Sequence, residues 1–352
     1  MYNRIHKEEH IMQRKRILSV LAVMLVCIFA LSALNACKKQ AGKPVDNAIT
    51  EDTEDDEESE DTDETQSYVF GFSAIDMENP YFITLEKAIK EVLDEKEYRM
   101  ISKDPASDAE LQVQQIQEMI EEGIDAIFLC PVDWEAITPS LQALKDAGVK
   151  IINVDTQVKE MDYVDAYVGS DNKKAGSICG QDLIEKCPDG GKVAILEATA
   201  QNSVNDRITG FEETIAKAEN GFEIVAREDT DGSFEKGLEG AKKIIAEHPD
   251  LTAIMCGNDQ TAVAAKTALN LAGKDKVIIY GVDGSPDIKK ELKKTGSQIA
   301  GTAAQSPINI GKSAADTAIK MMNGQDYEKE TYEDVFMINK DNVDMYGVDG
   351  WQ

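Results

Sequence analysis

Histidine is almost absent from this chain. Three occur in 352 residues, and after His6 and His10 only His248 remains, at a predicted helix end before Pro249. The body of the chain therefore holds no Ser/His/Asp set and no histidine-based metal site. Cysteine offers no substitute. Of the six present, Cys27 lies in an apolar leader and Cys37 follows it. Cys130, Cys179, Cys187 and Cys256 are scattered without metal-ligand spacing. Cys179 and Cys187 fall on one predicted helix about 12 Å apart, too far for a disulfide. All four read as buried free thiols. No Gly-rich phosphate loop and no nucleophile–base pair stands out either. An enzyme, a bound metal and an organic cofactor are not expected.

Positive charge is also short. The chain carries 37 Lys and Arg against 66 Asp and Glu, a net charge of -29. Residues 1–66 hold 8 basic and 14 acidic side chains, leaving 29 against 52 in the remainder. The acidity thus belongs to the folded part as well as to the leading segment. Such a field repels nucleic acid and anionic membrane surfaces and favours solubility.

Arg14, Lys15 and Arg16 precede an apolar run over 17–34, the pattern of an export signal. The run closes on Leu34-Asn35-Ala36-Cys37, which resembles a lipobox, so Cys37 is the expected lipidation site and new N-terminus. The run also approaches the length of a membrane span, and a retained anchor is the alternative. Either way the folded part is expected outside the cytoplasm. From Asp46 to Glu64 the chain is dominated by Asp, Glu and Thr, which cannot bury a core and self-repels. The expected division is a signal peptide over 1–36 and an acylated Cys with an acidic, disordered linker over 37–66.

Beyond Ser67 short apolar runs alternate with amphipathic stretches. Strands are expected over 68–72, 100–101, 124–129, 149–154 and 164–168, with helices over 80–93, 111–120 and 135–147. The beat restarts with helices over 174–185, 206–218, 234–247, 260–271 and 308–322, and strands over 192–196, 222–226, 253–255, 277–280 and 298–303. Strand–helix alternation predicts an α/β fold with parallel sheets covered on both faces. Close to three hundred residues suit two such lobes better than one core.

Ligands of open parallel sheets bind beyond the carboxyl ends of the strands. Those positions hold Ser73, Asp76, Asn79, Tyr81 and Phe82; then Asp133 and Trp134; then Asp155, Thr156 and Gln157; then Asn258 and Asp259; and last Asp283 and Gln305. Carboxylates and amides take several hydroxyls, and rings cover apolar C–H faces, so the set suits a polyol. Each residue has a plainer reading. Asn258 could cap a helix, and Asp283, between Val282 and Gly284, could be a turn residue. Tyr81 and Phe82 could be ordinary core.

These stretches carry a family resemblance. Asn79-Pro80-Tyr81-Phe82, Val154-Asp155, Gly169-Ser170-Asp171-Asn172, Arg207-Ile208-Thr209-Gly210-Phe211, Gly257-Asn258-Asp259, Gly281-Val282-Asp283-Gly284 and Ala304-Gln305 occur in order. From Tyr68 nearly to the end the chain resembles periplasmic sugar-binding proteins of the ribose-binding type, which feed ATP-driven importers. The resemblance implies two similar doubly wound parallel-sheet lobes joined by a three-strand hinge, the type I periplasmic binding protein fold. It places one lobe over 67–170 plus 306–335 and the other over 171–305 plus 336–352. It implies that Asn79, Asp155, Asn258, Asp283 and Gln305 bond sugar hydroxyls, that Tyr81 and Phe82 form an aromatic wall, and that Arg207 is structural. Three positions depart from the ribose pattern: Thr156 and Asn205 stand where arginines are expected, and Gly232 where an aromatic is expected. Ribose is therefore not assigned. Thr156, Asn205 and Trp134 are the expected replacements at the ligand. The implied partners are a sugar or related polyol, a permease with its ATPase, and the membrane through the lipid at Cys37. A monomer at the outer face of the cytoplasmic membrane or in the periplasm is expected. The alternatives are a sensing module for a chemoreceptor or kinase, and a binder of a non-sugar molecule such as a nucleoside.

Overall fold

The computed structural model describes residues 67–352. The leader, Cys37 and the acidic segment lie outside the described residues. The first sheet is built from β1 (Val69–Ser73), β2 (Arg99–Lys103), β3 (Ala126–Leu129), β4 (Lys150–Val154), β5 (Ala166–Ser170) and β11 (Glu330–Glu333). Its order is β11-β5-β4-β3-β1-β2 and every pair is parallel. Alternate side chains of these strands enter separate cores. Phe70, Phe72 and Phe128 face α1 (Pro80–Asp94) and α9 (Pro307–Met322). Ile127, Leu129 and Ile151 face α2 (Ala109–Glu121) and α3 (Thr138–Asp146). With both faces covered, the strands read as continuous apolar runs.

The second sheet repeats the plan. It contains β6 (Gly191–Glu197), β7 (Phe222–Asp229), β8 (Ala253–Cys256), β9 (Ile278–Asp283), β10 (Ile299–Ala304) and β12 (Phe336–Asn339), in the order β12-β10-β9-β8-β6-β7. Only β12 runs antiparallel to its neighbour. The helices α4 (Asn172–Lys186) and α5 (Asn202–Ile215) cover one face. The other is covered by α6 (Phe234–Glu247), α7 (Asp259–Leu271) and α8 (Pro286–Leu292). A short α10 (Val343–Tyr346) follows β12.

The chain passes between lobes three times. It leaves β5 for α4, returns from β10 to α9, and passes from β11 to β12 across two residues. The expected fold class is the one observed. The two-lobe, parallel-sheet plan was legible because the central strands are short apolar runs, most of them closed by a Gly, Pro or Asp turn.

Several boundaries differ from expectation. The third helix begins at Thr138 rather than Glu135, because the Asp133 carboxylate accepts the N–H groups of Glu135 and Ala136 and holds them in a separate turn. The helix expected over 206–218 begins four residues earlier, at Asn202. Cys130, Cys179 and Cys256 are buried free thiols, whereas Cys187 is half-buried and is the residue that ends α4. Among the described residues no helix is long and apolar enough to cross a membrane.

Candidate functional site

The carboxyl ends of both sheets face one cleft, and the lobes meet across it. The Thr156 hydroxyl, after β4, lies 2.6 Å from the Ser203 hydroxyl on α5. The Trp134 N–H donates to the Ala200 carbonyl at 3.0 Å. Between the lobes is a cavity with about 480 Å³ of empty space, part of it open to solvent.

Asn79 caps α1: its Oδ1 accepts the Tyr81 N–H at 3.0 Å, which leaves the amide nitrogen for the cavity. The cap and Pro80 at the helix start fix the direction of the next turn, which delivers Tyr81 and Phe82 to the cavity wall. The Tyr81 ring meets Phe82 and Trp351 edge-on, at 5.3 and 5.7 Å between centroids. Its hydroxyl is buried without a protein partner. Burial first, and the charges of Asp155 and Asp283 next, push this phenol well above its ordinary range, so it stays a donor.

Asp155 ends β4 with φ of 62°, in the left-handed region that L-residues occupy at a cost. The Tyr167 hydroxyl donates to its carbonyl at 2.8 Å, and its N–H donates to Val168. These bonds hold the strained turn, and the carboxylate reaches the cavity. Its Oδ2 has Thr156 Oγ1 at 3.3 Å and Cys130 Sγ at 3.6 Å. Burial and the Asp155 charge raise the Cys130 thiol, which stays protonated.

On the opposite lobe Asp283 ends β9, buried, with φ of 137°. Its Oδ1 accepts Gln305 Nε2 at 2.8 Å and lies 3.8 Å from Arg207. Burial raises this carboxyl to about 6, against the pull of the Arg207 charge. Asn258 lines the cavity yet also caps α7, its Oδ1 accepting the Thr261 N–H and its Nδ2 donating to Gly232 at 2.8 Å. The two readings of this residue both hold in geometry. Gln305 is buried directly behind Asp283 and does not line the cavity.

Three more expected residues sit outside the cavity. Trp134 and Asn205 share a separate open hollow with Thr199 and Ala200. Because α5 starts at Asn202, Asn205 is drawn into its first turns, and its amide donates to the Thr199 carbonyl. The Trp134 ring lies beneath the Lys159 ammonium, 6.0 Å away. Thr156 is fully buried between Asp155 and Ser203, so it joins the lobes rather than facing the cavity. Arg207 does more than tie helices together. It donates to Asn172 Oδ1 at 2.8 Å and to the Gly257 carbonyl at 2.9 Å, and it also lines the cavity. Sequence reasoning missed Ser107, Gln201, Ser203 and Asp231 in the wall. Only Asp231, in a turn with Gly232, carried a usable signal. At Gly232, with φ of 73°, an added Cβ would lie 3.1 Å from Asn258 Nδ2 and 3.2 Å from Gln201 Nε2. The room an aromatic would need is taken by these two amides.

Two expectations follow. Replacing Ser203 with Ala removes one hydrogen bond between the lobes and leaves Thr156 bonded to Asp155. Such a bond is worth about 0.5–1.5 kcal/mol, so ligand affinity should fall about 2- to 10-fold, with a larger population of open molecules in solution scattering. Unchanged affinity and scattering would show that this contact does not govern closure.

The second concerns Asp259, behind the cavity. Its oxygens accept Thr302 Oγ1 at 2.8 Å and the Ser285 N–H at 2.7 Å. Burial, and then the Asp283 charge, raise its carboxyl to about 8. In the unfolded chain it ionises near about 3.9. Between these values the folded protein keeps a proton that the unfolded chain releases, so stability falls as pH rises from about 4 to about 8. Asp259→Asn removes this contribution and should be the more stable protein at pH 8. Denaturant unfolding at pH 5 and pH 8 would check it, and an equal pH slope in both proteins would contradict it.

A cleft between two doubly wound lobes, with polar side chains converging from both and rings on one wall, defines a two-lobed small-molecule binder. The chain belongs to the periplasmic binding protein family, whose domain description, "Periplasmic binding protein domain", matches residues 70–326. It is 27% identical over 312 residues to the ribose import binding protein of Bacillus subtilis (strain 168), covering 88% of this chain and 95% of that one. It is 28% identical over 265 residues to the ribose import binding protein of Escherichia coli (strain K12), covering 75% and 88%. Among solved structures, a solute-binding protein of an ABC transporter from Actinobacillus succinogenes 130z, with bound D-allose, superposes with a TM-score of 0.72 at 27% identity. That match covers 80% of this chain and all of the other.

Proposed function

We propose that this protein is the extracytoplasmic solute-binding component of an ABC importer, tethered by a lipid at Cys37, and that it captures a sugar or related polyol between its lobes. The observation that carries this reading is the meeting of Asp155, Asp283, Asn79 and Asn258 with Tyr81 and Phe82 in one cavity at the carboxyl ends of both sheets. Hydroxyl-rich ligands need several short acceptors and donors around a ring face, and this wall supplies them. The kinship with ribose import binding proteins, and the neighbour holding D-allose, support the same class. Ribose itself is disfavoured by Thr156, Asn205 and Gly232. In this reading Asn79, Tyr81, Phe82, Asp155, Asn258 and Asp283 touch the ligand, Gln305 orients Asp283, and Arg207 balances its charge. The chain acts as a monomer whose closed face is read by the permease.

The test is the melting temperature of the purified protein against pentoses, hexoses, inositols, nucleosides and amino acids. Binding to the native state alone adds about 2.7 kcal/mol at a hundredfold excess over Kd, a shift of several degrees. A sugar or polyol should give that shift. A shift with a nucleoside or amino acid alone would keep the fold and overturn the ligand class.

A further inference from the structure

The charges around the cavity do not balance. Asp76, Asp155, Asp231 and Asp283 line it, and among the described residues Arg207 is the one cation in its wall. Arg207 is already engaged by Asn172, Gly257 and Asp283. Asp231 is exposed and paired with Lys236. Asp76, at the rim, takes the Ser107 hydroxyl and the Glu78 N–H. Asp155 differs from all of these. It is 5% exposed, and among the described residues no Lys, Arg or His lies within ion-pair distance of it. Its contacts with Thr156 and Cys130 both fall on Oδ2. Among the described residues the close hydrogen bonds to this carboxylate are those two, which leaves Oδ1 without one. Beside it the Tyr81 hydroxyl is buried, lines the same cavity and makes no close hydrogen bond, but lies near enough to the Asp155 carboxylate that this charge helps hold its proton.

We propose that the natural ligand is an amino-polyol or amino sugar whose ammonium is held by Asp155 against Tyr81 and Phe82. The inference rests on the polyol reading above and narrows it. A buried carboxylate without a cation is costly, and closing the lobes on a neutral ligand leaves that cost in place. Hydroxyls would satisfy the oxygen but not the charge. An ammonium does both: it donates to the free Oδ1 and to the Tyr81 oxygen, and aromatic faces attract it as well. The acidic field of the whole chain draws cations toward the cleft.

The experiment is calorimetry of the purified protein with matched sets at pH 7 and low salt: myo-inositol against inosamines, and D-glucose, D-galactose and D-mannose each against the 2-amino and N-acetylamino sugar. At least one amine should bind tenfold or more tightly than its neutral parent, and N-acetylation, which removes the charge, should abolish the gain. In Asp155→Asn the amine should lose its advantage while the neutral parent keeps measurable binding. If a neutral parent binds as tightly as every amine, the inference falls and the polyol reading stands. Equal losses for both ligands in Asp155→Asn would make the carboxylate a simple hydrogen-bond acceptor, which also overturns it. If neither neutral nor amino ligands bind, the polyol reading falls and takes the inference with it. The N-acetyl comparison uses the unaltered protein and does not depend on the variant folding.

Discussion

Asp283→Ala is expected to weaken ligand binding by about 100-fold or more. The carboxylate ends β9 at a backbone angle that aims it into the cavity, and Gln305 fixes its Oδ1 from behind. A hydrogen bond to a charged group is worth about 1.5–3 kcal/mol. In the proposed reading the carboxylate also accepts from the ligand, and losing two such bonds would exceed the 2.8 kcal/mol or so that separates a hundredfold change in Kd. The change also strips Arg207 of its nearest carboxylate, 3.8 Å away in a buried setting, so the melting temperature of the ligand-free protein should fall as well. Asp283→Asn separates the effects in part: its one carbonyl oxygen still accepts from Gln305, whereas its NH2 replaces the oxygen that accepts the Asp259 N–H, and the charge facing Arg207 is lost. Calorimetry on both variants checks this. If Asp283→Ala binds within threefold of the parent, Asp283 is not a ligand contact.

Gly210→Ala is expected to be the most damaging conservative change outside the cavity. The helices α4 and α5 pack backbone to backbone. A Cβ on Gly210 would run into the Lys173 carbonyl, and one on Gly176 into the Arg207 carbonyl. Alanine favours a helix over glycine by about 1 kcal/mol, so propensity alone predicts stabilisation. Neither backbone can yield without moving the other helix, and overpacking of this kind costs about 3 kcal/mol or more. The clash should win. Because Arg207 rides on α5 into the cavity, binding should weaken in parallel. Gly221→Ala, with open space around its Cβ and no positive φ, is the control and should be neutral. Thermal unfolding of both variants checks the pair, and a stabilised Gly210→Ala would show that the helices can part.

Much of the fold was legible because local and long-range signals agree. Each of β1, β3, β4 and β8 is a short apolar run whose two faces are both buried, and β1, β4 and β8 are each followed by a turn residue that also lines the cavity. Most of the parts that were missed depend on contacts distant in sequence; the short helix α8 is the exception, marked locally by Ser285 as cap and Pro286 at its start. The strand β11 is short and half-polar, and it is a strand only because β5 offers an edge. Asp155, Asp283 and Asn79 could be placed because strand ends and helix caps are local features. Thr156, Trp134 and Asn205 could not. Whether a side chain at the lip of one lobe faces the cavity or the other lobe depends on how the lobes close. Thr156 meets Ser203, 47 positions away. Arg207 was half-legible: its bonds to Asn172 and Gly257 fit a structural arginine, while its place beside Asp283 emerges only when β9 and α5 are brought together.

The account turns on lobes that close around a hydroxyl-rich ligand. Solution scattering of the purified protein, with and without the sugar or polyol that most raises its melting temperature, tests this most directly. A smaller radius of gyration on saturation, absent in Asp283→Ala at the same concentration, is the predicted result. Tight binding with no change in radius would contradict the account.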